Sequence, residues 1–147
     1  MSKKSRLWVA AAVLILFVAA IYGRTLEHEF VNYDDDAYIT ANPVVLGGLS
    51  RQGFLGAFEI MAGNWHPLTW LSHEADVSLF GQWAGGHHAV SAAVHAASAV
   101  LLLLVLHAST GAFWPSALVA IVFAVHPQRV ESVAWAAERK DVLAGLF

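Results

Sequence analysis

The longest charge-free run limits the fold most strongly. No Asp, Glu, Lys or Arg occurs between Asp76 and Arg129, so residues 77–128 form a run of 52 residues without one. The whole chain has 58% hydrophobic and only 13% charged residues, whereas soluble domains carry about 25% charged residues. A soluble core of a 147-residue chain could not hide such a run. The sequence therefore predicts an all-α integral membrane protein.

The first membrane span is predicted at residues 7–23. Three basic residues (Lys3, Lys4 and Arg6) precede 17 uncharged residues, which is near the lower limit for crossing a hydrocarbon core of about 30 Å. A cleaved signal peptide shows the same pattern, although this apolar stretch is long for one. We expect a retained helix. In both cases residues 1–6 stay in the cytoplasm and the chain after the span is exported.

Residues 24–86 are predicted to form an extracytoplasmic loop. Eight acidic and two basic residues give it a net charge of −6, and its many aromatic residues are typical of a membrane interface. Residues 67–80 predict a short helix that begins with Pro67, and residues 53–62 predict a weaker one. The apolar stripe of the first helix is Leu68, Leu71, Ala75 and Leu79, with His73, Glu74 and Asp76 off it. We expect both helices to lie along the bilayer surface.

Two further spans are predicted after the loop. Residues 87–108 form the second span, residues 109–114 a cytoplasmic turn, and residues 115–126 a third helix that ends before Pro127. Twelve residues rise only about 18 Å, so this helix breaks at membrane depth, where irregular backbone is tolerated beside protein or a wet cavity. Residues 127–141 are an extracytoplasmic charged segment. Residues 142–147 begin a further span, as in the N-terminal part of a longer protein.

The acidic triplet Asp34, Asp35 and Asp36 is the first candidate for chemistry. Adjacent carboxylates repel one another and need cations or hydrogen-bond donors nearby. A solvated acidic turn is one interpretation. The flanking Tyr33 and Tyr38 favour an anchored segment. An anchored carboxylate can act as a general base towards a hydroxyl group or coordinate a divalent cation through oxygen.

Histidines and late charges give weaker signals. His66 and His73 are seven positions apart, and so are His88 and His95, whereas zinc ligands usually pair at closer spacing. The chain has no cysteine, which excludes a thiolate site. Histidines within the spans, such as His95 and His107, are expected to form hydrogen bonds inside the bundle.

The charged segment after the third helix indicates anion binding as one possibility. Glu131 and Glu138 are seven positions apart, and Arg129, Arg139 and Lys140 accompany them. Such basic residues bind phosphate groups. Solvated charges on an interfacial helix are the alternative.

Four ordered motifs carry a resemblance to a known family: FVNYDDDAYITANP (30–43), NWHPLTWLSH (64–73), GHH (86–88) and HPQRVESVAWAAERKDVL (126–143). Together they resemble the N-terminal region of bacterial multi-span proteins with C-terminal tetratricopeptide repeats. Those proteins are similar to the transmembrane, tetratricopeptide-repeat O-mannosyltransferases and, more distantly, to other GT-C glycosyltransferases.

The resemblance implies a membrane glycosyltransferase of a bacterial inner (cytoplasmic) membrane, with short interfacial helices in its first extracytoplasmic loop. Its donor would be a sugar on a polyprenyl phosphate, with mannose as the family's best-known sugar. Its acceptor would be a Ser or Thr hydroxyl of an exported protein. Membrane lipid is a further expected partner, and nucleic acid is not expected.

The resemblance also implies roles for particular residues. Asp34 would be the catalytic base, and Asp35 would orient the acceptor. The same two carboxylates are the candidate ligands of a divalent metal, Mg²⁺ or Mn²⁺. Arg129 and Arg139 would bind the donor phosphate. The remaining candidates line the cavity: His126, Glu131, Glu138, His66 and His73.

Two other functions compete with the enzyme. One is a non-catalytic membrane scaffold whose tetratricopeptide repeats bind partners during envelope assembly. The other is a cation-binding transporter that uses the acidic loop and the histidines.

Overall fold

The computed structural model describes residues 2–147, and within them every regular element is helical. The α-helices are α1 (Lys3–Tyr22), α2 (Pro43–Leu46), α3 (Arg51–Gly56), α4 (Pro67–Phe80), α5 (Ala84–Thr110), α6 (Phe113–Val125), α7 (Arg129–Ala134) and α8 (Arg139–Ala144). Two 3₁₀ helices cover Gly23–Glu27 and Ala136–Glu138, and a π-helical turn covers Asp36–Thr40.

Helices α1, α5 and α6 form a three-helix bundle. Small residues allow the close approach, since Ala99, Ala120 and Ala124 are fully buried beside Leu14 and Leu103. Two segments are long and apolar enough to cross a membrane, Lys3–Glu27 with 25 residues and Ala84–Thr110 with 27. Helix α6 is apolar but has only 13 residues. It ends at Val125, two residues before Pro127, which cannot donate a backbone hydrogen bond.

The loop between α1 and α5 packs with the chain after α6 at one end of this bundle. Their shared core joins Tyr38, Ile39 and Trp70 from the loop to Ala136 and Ala137 from the later segment. Helix α8 contacts both α4 and α5. The acidic loop and the charged segment therefore belong to one packed layer, although about a hundred residues separate them in sequence.

Helix α4 covers the residues at which the sequence predicts a helix, and it buries its polar face. His73, Glu74 and Asp76 are at most 2% exposed, whereas Leu68 and Leu79 are more than half exposed. The outward apolar stripe is compatible with a helix at a bilayer surface. The apolar stripe does not predict that the polar side chains are buried. Their burial depends on partners from α5 and α8.

The helix predicted at residues 53–62 is wrong over its second half. Helix α3 ends at Gly56, and a tight turn closed by a bridge between Met61 and Asn64 follows. Ala62 and Gly63 both adopt positive φ in this turn, at 48° and 74°. Backbone in that region cannot continue a right-handed helix.

Candidate functional site

The middle aspartate of the acidic triplet is a buried anchor. Asp35 is fully buried, and its two carboxylate oxygens accept separate hydrogen bonds from the backbone N–H groups of Val31 and Ala137, both at 2.8 Å. Burial raises the pKa of Asp35, and these two hydrogen bonds oppose the shift. Asp35 therefore ties the loop to the charged segment.

The two neighbouring aspartates are only half-buried. One carboxylate oxygen of Asp36 is buried without a hydrogen-bond partner. In the described chain, Asp34 has no hydrogen bond to its carboxylate, and it lies next to Asp35 at the start of a helical turn. Because Asp35 fixes the backbone, Asp34 is presented at a constant position while its carboxylate stays free.

Charged residues of the loop and of the segment after α6 lie close to Tyr38. The Lys140 ammonium lies 5.5 Å from the Tyr38 ring centre and pairs with Glu138 at 2.6 Å. Burial raises the pKa of Tyr38; the Lys140 charge lowers it, and the charges of Asp34 and Glu138 raise it further. Asp34, Glu138 and Lys140 therefore act on the same tyrosine hydroxyl, which accepts a hydrogen bond from Asn64.

A second polar cluster surrounds Arg139 inside the layer. This fully buried guanidinium pairs with the carboxylate of Asp76 and donates to the hydroxyls of Ser72 and Ser91 and to the carbonyl of His87. Burial raises the pKa of Asp76 and lowers that of Arg139, and the ion pair between them opposes both shifts. The guanidinium is thus occupied by partners within the protein.

Two histidines extend this cluster. His87 Nδ1 lies 3.3 Å from Asp76 Oδ2 and 3.4 Å from His73 Nδ1, and His87 Nε2 lies 3.3 Å from the Gly81 carbonyl oxygen. Burial strongly lowers the pKa of His73, and the Arg139 charge acts in the same direction. Both imidazoles are fully buried.

Sequence reasoning missed Asp76 and His87 as site residues. Two signals point to them in retrospect. Asp76 is the last charged residue before the charge-free run, and His87 belongs to the GHH motif. Neither signal indicates that α8 would bring Arg139 between them.

Buried polar groups without partners lie near both clusters. Glu74, which is also on α4, is fully buried, and neither carboxylate oxygen has a hydrogen-bond partner. Burial raises the pKa of Glu74. Neither ring nitrogen of the buried His88 has a partner, and its ring centre lies 6.3 Å from that of His28.

A separate groove of about 510 Å³ lies beside the end of α6. Its polar mouth includes His126, Gln128 and Arg129, and the Arg129 guanidinium sits 4.7 Å from the ring centre of Phe123. The remaining lining residues are Leu102, Val119, Val122, Ser132 and Asp141. A cation above an apolar wall suits a ligand with an anionic head and an apolar tail.

The structure thus distributes the predicted residues over three places. Asp34, Asp35 and Glu138 lie where the loop meets the charged segment, Arg139 and His73 are buried in the second cluster, and Arg129 and His126 line the groove. Glu131 is exposed, and His66 lies 6.4 Å from Trp70 between ring centres. Their functional roles stay predictions.

Comparison with known proteins gives partial relatives of a single kind. The chain is 31% identical to Protein O-mannosyl-transferase Tmtc1 of Drosophila melanogaster over 150 residues. It is 32% and 35% identical, each over 148 residues, to Protein O-mannosyl-transferase TMTC1 of Mus musculus and of Homo sapiens. These alignments cover 94–97% of this chain but only 16–17% of the relatives, so the chain spans about a sixth of their length. No family model and no solved structure matches the chain.

Proposed function

We propose that this chain is the N-terminal part of a membrane-embedded protein O-mannosyltransferase. The donor is a sugar linked to a polyprenyl phosphate, and the acceptor is a Ser or Thr hydroxyl of an exported protein. The reaction takes place on the extracytoplasmic side of a bacterial cytoplasmic membrane. The similarity to three proteins named as O-mannosyltransferases and the two long apolar helices support this proposal.

The observation that carries the proposal is the different environment of adjacent aspartates. Asp35 is fully buried and holds the backbone N–H groups of Val31 and Ala137, whereas Asp34 is half-exposed. A general base must be held in place and still reach its substrate. Asp34 meets both conditions because its neighbour provides the anchor.

Asp34 is the proposed catalytic base. Its carboxylate accepts the proton of the acceptor hydroxyl while the hydroxyl oxygen attacks the anomeric carbon of the sugar. The bond from that carbon to the phosphate oxygen breaks, and the polyprenyl phosphate leaves with the bonding electrons. Attack from the side opposite to the leaving group inverts the configuration of the anomeric carbon.

Arg129 is the stronger candidate for holding the departing phosphate. Its guanidinium lies at the mouth of the 510 Å³ groove, above the apolar wall that includes Val119, Val122 and Phe123. A guanidinium stabilises charge that develops on a phosphate, and the apolar wall suits the first units of a polyprenyl chain. Arg139 is buried and its guanidinium already bonds partners within the protein. Its proposed contribution is therefore to hold the loop and the charged segment together.

A divalent metal ion at Asp34 and Asp35 would be coordinated mainly by Asp34. Carboxylate oxygens are the ligands that Mg²⁺ and Mn²⁺ prefer, but each oxygen of Asp35 already accepts a backbone N–H. Such an ion would add positive charge near the acceptor hydroxyl.

The test replaces Asp34 by Asn in the full-length protein. We expect a loss of about 10²–10⁴-fold in the rate of sugar transfer from polyprenyl-phosphate mannose to an exported acceptor protein, because Asn cannot accept the proton. Asp36→Asn, two positions away, is the matched control and should retain activity. Full activity in the Asp34→Asn protein, at equal expression, would refute the proposed base.

A further inference from the structure

We propose that His73, Asp76 and His87 form a binding site for a divalent transition-metal ion of the zinc class. The site lies where α4 meets the first turn of α5 and shares no residue with the acidic triplet. One atom from each residue, two imidazole nitrogens and a carboxylate oxygen, lies within 4.8 Å of the other two. The inference is independent of the proposed transferase activity.

Two of the three separations between these atoms fit a tetrahedral ion. His87 Nδ1 is 3.4 Å from His73 Nδ1 and 3.3 Å from Asp76 Oδ2. In tetrahedral zinc sites, bonds of about 2.0–2.2 Å place neighbouring ligand atoms about 3.3–3.5 Å apart. His87 is therefore already at ligand spacing from both His73 and Asp76.

In a neutral His87, the hydrogen bond to Gly81 turns a lone pair towards Asp76. The Gly81 carbonyl can only accept, so a neutral His87 carries its proton on Nε2 and points an unprotonated Nδ1 at Asp76 Oδ2. Two acceptors at 3.3 Å repel unless a cation or proton lies between them. The His73 Nδ1–H can donate to His87 Nδ1, but it does not relieve the contact with Asp76. An ion bound by all three atoms would remove this repulsion, and Asp76 Oδ2 would be shared between the ion and Arg139.

The surroundings orient the ligands in the way that metal sites require. Arg139 holds the Asp76 carboxylate, and the Gly81 carbonyl holds the distal nitrogen of His87. Carboxylate and carbonyl partners behind the first ligands commonly fix their orientation. The Arg139 charge opposes binding of a cation, so neutral imidazoles must supply much of the affinity, as they do in zinc sites built from three histidines.

The ion would join two segments that the chain connects only through a short turn. His73 and Asp76 lie one turn apart on α4, while His87 lies in the first turn of α5, after Gly81. All three residues are at most 2% exposed, so the ion would serve as a structural clamp. His73 Nε2 is buried without a partner, so the His73 ring lacks the outer hydrogen bond that His87 has.

The experiment uses the full-length protein, purified in detergent, stripped with a chelator and titrated with Co²⁺. Tetrahedral Co²⁺ has intense visible absorption, so we expect this signal to saturate at one ion per chain and to disappear when Zn²⁺ is added. His73→Gln and His87→Gln should each weaken binding by more than about tenfold. His107→Gln, at the far end of α5, is the matched control and should bind as the wild type does.

Replacing His73 by another metal-binding residue distinguishes a role in metal coordination from a role in packing. His73→Cys should retain tetrahedral Co²⁺ binding and add a sulfur-to-cobalt charge-transfer band, which no structural role of His73 would produce. The proposal is overturned if the folded, stripped wild type shows no tetrahedral Co²⁺ spectrum. It is also overturned if His73→Gln and His87→Gln, with unchanged thermal unfolding, keep the wild-type spectrum.

Discussion

Charged side chains that are removed from water differ here in how they are compensated. Asp35 accepts two backbone N–H groups, and Arg139 pairs with Asp76. Glu74 is buried to the same degree with neither carboxylate oxygen bonded. Removing one partner of a buried pair leaves the other uncompensated, which costs far more than losing an exposed pair.

Replacing Asp35 with Ala should lower the free energy of unfolding. The change leaves the N–H groups of Val31 and Ala137 without their acceptor. A buried donor such as the Ala137 N–H costs about 1–3 kcal/mol when it is left unpaired. Asp35→Asn keeps one acceptor oxygen and should lose less. Chemical unfolding of the purified protein measures both variants. Equal stability of wild type and Asp35→Ala would show that the link to Ala137 is dispensable.

Replacing Arg139 with Met should be more damaging still. The variant leaves Asp76 as an unpaired buried charge, and the expected loss is about 3–5 kcal/mol. Lys140→Met is the neighbouring control, because the partly exposed Lys140–Glu138 pair should contribute no more than about 1 kcal/mol. Thermal unfolding in detergent separates the two variants. A similar small shift in both would contradict the assignment of Arg139 to the buried cluster.

The close contact between α5 and the 3₁₀ helix before it depends on Gly85, at the start of α5. A Cβ built on Gly85 would collide with the backbone carbonyl oxygen of Leu26 in the preceding 3₁₀ helix. Backbone at that point cannot rotate away as a side-chain end can. The first turn of α5, which contains His87, therefore packs directly on the 3₁₀ helix that follows α1.

Gly85→Ala should separate these two elements and destabilise the protein by about 1–3 kcal/mol, as overpacking typically does. Gly23→Ala is the matched control, because a Cβ there meets nothing within 4 Å and the backbone already has helical angles. The midpoint of thermal unfolding should fall for Gly85→Ala and stay near wild type for Gly23→Ala. Equal midpoints would argue against the close packing.

At the scale of the whole molecule, large apolar side chains cover the outside of the bundle. Trp8 and Leu16 on α1 and Trp114 and Leu118 on α6 are each more than 60% exposed. Contiguous exposed apolar surface of this kind marks contact with a membrane or another protein. Together with the two long apolar helices, it favours a bundle surrounded by lipid, with the polar layer at one membrane face.

Cysteine labelling tests this arrangement, since the sequence given has no cysteine of its own. With any cysteines elsewhere in the full-length protein removed, Glu59→Cys in the loop should react with a membrane-impermeant maleimide in intact cells. Ser109→Cys, at the opposite end of α5, should react only after permeabilisation. Both residues are exposed, so burial would not explain a difference. Labelling of both sites in intact cells would refute the predicted topology.

The sequence by itself determined the helical class, the positions of the apolar segments and the extent of α4. Apolar run length and proline position are local properties, so they can be read without knowing which segments meet. The same local signals singled out the acidic triplet and the basic residues after α6. They could not distinguish Asp34 from Asp35, because the two residues differ only in what lies opposite them.

Only the tertiary structure decided which side chains share an environment. It buried Asp35 against Ala137, enclosed Arg139 between Asp76 and His87, and left Arg129 at a separate groove. The contacts of Asp35 and Arg139 join residues about 50 to 100 positions apart. The physical reason is that burying a charge is costly unless a matching partner arrives from another segment, and no local pattern specifies which segment that will be.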